Sequence, residues 1–127
     1  MTIDSASQDQ ALVLEASGRF SEKPLSAAEK EMLRAAHRGI VAICGPKFDD
    51  NDPTNDPAKA DGWGAEREIR ADFIRWICVE QDVAAKIDPR GIQVYAAKIT
   101  GKLDLSYVSV AFPIWLYRCS FCEEGGA

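Results

Sequence analysis

The sequence predicts an α+β fold, with two main amino-terminal helices packed on a short carboxy-terminal β-helix or solenoid-like sheet. Three observations carry this. A capping box at Ser26 opens a narrow apolar stripe, a bulkier stripe runs from Trp63 to Val79, and an eleven-residue repeat begins at Ile92. With 127 residues, 46% of them hydrophobic and 28% charged, the chain has the size and composition of one folded domain.

Residues 1–22 carry Ser, Gln and Asp around one short apolar patch, Leu12-Val13-Leu14, and read as a flexible arm docking through that patch. Residues 23–91 form the helical part. Ser26-Ala-Ala-Glu29 has the spacing of a capping box, in which each residue satisfies an amide of the other. Ala28, Met32, Ala35 and Ala36 then fall on one helical face, and Gly39 is the expected stop. Ile40-Val-Ala-Ile-Cys44 could extend that helix as far as Gly45-Pro46.

Residues 45–61 hold five Asp and three Pro, and read as an acidic, exposed loop. Asn51-Asp-Pro and Asn55-Asp-Pro are tandem turn signals, because Asp bonds its own backbone and Pro fixes φ. A second helix is expected from Trp63 to Val79, with Ala65, Ile69, Phe73, Trp76 and Ile77 on one stripe. Glu66 and Arg70 are placed to pair across one turn of it.

From Ile92 the chain falls into three lines of eleven: IQVYAAKITGK, LDLSYVSVAFP and IWLYRCSFCEE. Positions one, three, six and eight are apolar in every line. Apolar residues two apart, twice per line, describe two short strands joined by a turn. Repetition at a fixed short period marks a solenoid whose like positions stack, so Val94, Leu105 and Leu116 are expected in one interior ladder and Phe121 in another. An up-and-down sheet of hairpins is the alternative.

The net charge is −5, with the acidity concentrated before residue 62 and three acids against three bases after residue 91. Neither a nucleic-acid nor an anionic-membrane footprint is present. Without a basic leader, a long apolar run or a dense cysteine framework, the expected location is the cytoplasm, with reduced thiols.

Candidate chemistry is thin. Cys119-Ser-Phe-Cys122 is a CxxC, but Cys119 sits at an inward repeat position and no helix follows to lower its pKa. Zinc would need two further ligands from Cys44, Cys78 or His37. His37 reads as a cation at the end of the first helix, without a nucleophile to serve. Asp50, Asp52, Thr54 and Asp61 have calcium-loop spacing, but Asn55 stands where the turn needs Gly. Arg67, Arg70 and Arg75 make the second helix locally cationic and could bind an anion, although paired surface arginines are the commoner case. No catalytic residue, cofactor or metal is expected.

Trp63-Gly-Ala-Glu-Arg67-Glu-Ile69-Arg70-Ala71, Gly91-Ile92, Ala97-Lys-Ile99-Thr-Gly101-Lys-Leu103-Asp-Leu105, Phe112-Pro-Ile114-Trp-Leu116 and Cys119-Ser-Phe121 resemble a bacterial family of pentapeptide-repeat-like proteins. The resemblance covers about residues 63–121. It implies a helical lead-in followed by a right-handed β-helix, and most members have no established activity. Some carry a membrane-associated oxidoreductase label that no cofactor motif here supports.

The expected function is a non-enzymatic, protein-binding module that forms a homodimer and binds neither nucleic acid nor membrane. If positions one and three point inward, Tyr95, Trp115 and Tyr117 point outward and form the candidate interface. A small enzyme or metal-binding protein using Cys119, Cys122 or the Asp-rich loop is the second expectation. Third is a topoisomerase-directed DNA mimic, which the neutral repeat disfavours.

Overall fold

The structure, a computed structural model, describes residues 5–122. It is α+β, with the helices grouped against two small parallel sheets. The expected arm is instead a helix, α1 (Ser5–Arg19). Leu12 and Ala16, one turn apart, are buried in the core, whereas Leu14 is 72% exposed. Polar residues add to the docking: Asp9 pairs with Arg38 at 2.5 Å, and Gln8 meets His37 Nε2 at 2.7 Å.

α2 (Ala27–Arg38) begins at the expected capping box, with Ser26 Oγ accepting from Glu29 N–H and Glu29 Oε1 accepting from Ser26 N–H. It ends at Gly39, in the left-handed region at φ 73°, where a Cβ would collide with the Asp88 carboxyl. The next residues turn away as β1 (Ala42–Ile43) instead of prolonging the helix. Three 3-10 turns follow, Pro53–Asn55, Pro57–Gly62 and Ala65–Arg67. The first two are built as the tandem turn signals imply, Asp52 and Asp56 capping Thr54 and Ala58 with a Pro at the first position.

The helix expected from Trp63 is shorter than its stripe. Only α3 (Ala71–Val79) is α-helical, followed by α4 (Gln81–Ala84), and Glu68–Arg70 form strand β2. The reason is tertiary. Ser26 Oγ donates to Glu68 O at 2.5 Å, and Glu29 Oε2 accepts from Arg70 N–H at 2.9 Å, so the capping box of α2 holds this backbone extended. Glu29 also takes Arg70 Nε and Nη2, displacing the Glu66 partner expected for Arg70. The apolar stripe survives the change, because Ile69, Phe73, Trp76 and Ile77 are all buried.

Strands β3 (Ile92–Tyr95), β4 (Lys98–Thr100), β5 (Ile114–Tyr117) and β6 (Ser120–Cys122) complete sheets ordered β1-β3-β5 and β2-β4-β6. Every pairing is parallel, which excludes the hairpin alternative. Ile92 pairs with Ile114, Val94 with Leu116 and Ile99 with Phe121, so the register spans two lines, 22 residues, rather than one. The ladder expected through Val94, Leu105 and Leu116 therefore skips Leu105, which lies in a segment without strand.

That middle line keeps the rhythm of the others. Leu103, Leu105, Val108 and Val110 pack partly buried against the core, and the residues between them are exposed. Ala96, Tyr107 and Arg118, position five of each line, all adopt positive φ, at 62°, 61° and 54°. Left-handed backbone on three non-glycine residues at eleven-residue spacing is a repeated corner. Burial is uneven along the repeat. Ile92, Val94, Ala97 and Ile99 are fully buried, but Ile114, Leu116 and Cys119 only partly, and Phe121, expected inside, is 60% exposed.

Candidate functional site

β3 and β5 alternate, so their even repeat positions face away from the core. On that outer face Tyr95 and Tyr117 are register partners, and Trp115 lies two residues before Tyr117. The three expected interface residues do come together. Trp115 stacks on Tyr117 at 5.2 Å, Tyr117 on Tyr95 at 5.7 Å, and Tyr95 on Phe48 at 4.3 Å, giving a row of four rings.

Their exposure differs from the expectation at one position. Tyr117 and Trp115 are 38% and 41% exposed, but Tyr95 is fully buried. The acidic loop covers it. Asp50 Oδ1 accepts from the Tyr95 hydroxyl at 2.6 Å, and Asp50 Oδ2 accepts from that of Tyr117 at 2.7 Å. Arg118 Nη2 donates to Asp50 O and Arg118 Nε to Asn55 O. From beneath, Arg67 donates to Ala96 O and Thr54 O, with its guanidinium 3.7 Å from the Trp63 ring. Asn55, fully buried, ties the loop to itself through Lys47 O and Asp49 O.

These contacts set the ionisation of the clamp. The two phenol donors hold the Asp50 carboxyl below its ordinary 3.8. Burial, then the bond to Asp50, pushes Tyr95 up to about 12, and the bond to Asp50 raises Tyr117. The depressed carboxyl favours the docked loop above about pH 4, an advantage lost as pH falls further. The raised phenols favour it below about pH 10, an advantage lost as pH climbs through about 12. Asp50→Ala is expected to speed tryptic cleavage after Lys47 and Lys59 at pH 8; unchanged rates would mean that the loop is held by other contacts.

The remaining candidates do not assemble. Cys119 is placed where burial raises its thiol, and Cys44, pushed up to about 12 by burial and then by Cys119, lies nearby. Thiols raised in this way are weak nucleophiles near neutrality. Asp50 and Asp52 of the calcium-like spacing are occupied by tyrosine and threonine donors. Among the described residues no group of three or more His, Cys, Asp or Glu is placed to hold a metal ion. His37 bridges Lys86 O and Gln8, tying three segments together. No helix among the described residues is long and apolar enough to cross a membrane.

Phe48, Asp50, Arg67 and Arg118 are the site residues that periodicity did not reveal. Asp50 and Arg67 stood out only for calcium-loop spacing and local positive charge, and Phe48 and Arg118 carried no expectation. No family model, curated protein or solved structure matches the chain.

Proposed function

We propose that the chain is a non-enzymatic protein-binding module, a short helix-capped β-helix that pairs with a second copy through the layer of β5 and β6. The 22-residue parallel register and the left-handed corners at Ala96, Tyr107 and Arg118 support the β-helical reading. The observation that carries the function is the difference between paired layers. Ile92, Val94 and Ile99 are fully buried, while their register partners Ile114, Leu116 and Phe121 are open on one side. Among the described residues β5 and β6 are the edge strands of their sheets, and an edge strand templates further pairing. Trp115 and Tyr117 extend the apolar area around that edge.

An isologous two-fold contact covers both copies of this surface at once and closes without growing into a fibre. Light scattering of the 127-residue chain at micromolar concentration is expected to give about twice 13.9 kDa. Trp115→Glu and Phe121→Glu are each expected to return the protein to monomer. A monomer for the unaltered chain at about 100 μM would overturn the reading.

A further inference from the structure

We propose that two copies join by antiparallel pairing of β5 with β5, about a two-fold axis through Trp115. This rests on the self-association proposed above and names the contact that makes it. The hydrogen bonds of β5 fix which of its backbone groups are already used. Ile92 N–H donates to Pro113 O and Ala96 N–H to Tyr117 O, so the groups of 113, 115 and 117 turn toward β3. Those of Ile114 and Leu116 therefore point to the opposite side, where no strand lies among the described residues.

The usable length of that edge is short and bounded at both ends. Pro113 has no N–H to give, and Arg118 leaves the strand in left-handed backbone at φ 54°. Antiparallel partners both turn their backbone groups toward the shared seam, which leaves three two-fold registers. An axis through Leu116 or Ile114 pairs that residue with itself and sets the other opposite Arg118 or Phe112, outside the strand. An axis through Trp115 sets Ile114 opposite Leu116 twice. Each of those pairs exchanges both of its hydrogen bonds, so the whole edge is used.

Side chains favour the same register. On the inner face Ile114 meets Leu116 of the second copy, and both are only half-buried in a single chain. On the outer face Trp115 stands opposite Trp115, in the pair without hydrogen bonds, where side chains approach most closely. The stretch 114–116 carries no charge, so nothing in it repels its own copy. The sheet β1-β3-β5 then runs on into that of the second copy.

Residue-resolved amide hydrogen exchange on the full 127-residue chain reads the seam directly. The Ile114 and Leu116 amides are expected to exchange about a hundred-fold more slowly at about 100 μM than at about 1 μM. Those of Trp115 and Tyr117, which face β3, change far less. Leu116→Pro removes a seam donor without touching the ladder to β3, and is expected to raise the dimer dissociation constant about a hundred-fold. Leu116→Ala keeps the N–H and is expected to weaken the dimer far less. Protection confined to one of the two amides would overturn the register. A dimer that leaves both amides unprotected, or that survives Leu116→Pro unchanged, would overturn this contact while self-association stands. A monomer throughout would overturn both.

Discussion

Glu29→Ala is expected to lower stability by about 3–5 kcal/mol, the range for removing one partner of a buried ion pair. Glu29 is 2% exposed, and its carboxylate accepts from Ser26 N–H, Arg70 N–H and two guanidinium nitrogens. Truncation therefore strips the capping box from α2, the anchor from β2 and the counter-charge from Arg70 in one step. Glu29→Gln keeps an acceptor for Ser26 and is expected to cost less. Urea unfolding measures both, and a loss below about 1 kcal/mol for the alanine variant would show that water replaces the carboxylate.

The second large effect separates two residues that share a register position. Ile99→Ala is expected to cost about 2–5 kcal/mol, whereas Phe121→Ala is expected to cost less than about 1 kcal/mol in the monomer. Ile99 is enclosed on all sides, while Phe121, its partner on β6, is 60% exposed. Equal losses at low protein concentration would mean that the outer layer is as well packed as the inner one. Leu105→Ala, at a half-buried position outside any strand, is expected to fall between them.

Local signals were legible where local physics decides. The capping box, the glycine stop and the Asx-Pro turns depend on residues within a few positions of each other, and all appear as the sequence implies. The eleven-residue rhythm was visible because inward and outward positions alternate whatever the pairing partner. The pairing distance was not, since Leu103 and Ile114 are equally good partners for Ile92 on hydrophobicity alone. Distant contacts account for the other differences. β2 interrupts a helical stripe because Ser26 and Glu29 bind its backbone from another element. Tyr95 is outward but hidden because a loop some 45 residues earlier folds back over it. α1 was missed because its buried face is narrow, Leu12 and Ala16 amid polar residues, and gains definition only against α2.

The turn from the first sheet to the second is made three times, twice with two residues, 96–97 and 118–119, and once with many more. Between β3 and β4 it takes residues 96–97, while between β1 and β2 it takes residues 44–67, yet β1 and β2 stay in parallel register with β3 and β4. The corner is thus a splice point, where the strand register tolerates very different lengths of intervening chain. Lengthening a flexible connection costs only about 0.6 kcal/mol per doubling, a small tax beside the burial of one leucine. Variation in this architecture is therefore expected to concentrate at the corners, with cargo sequence carried there as the acidic segment is carried here, and with the inner columns left alone.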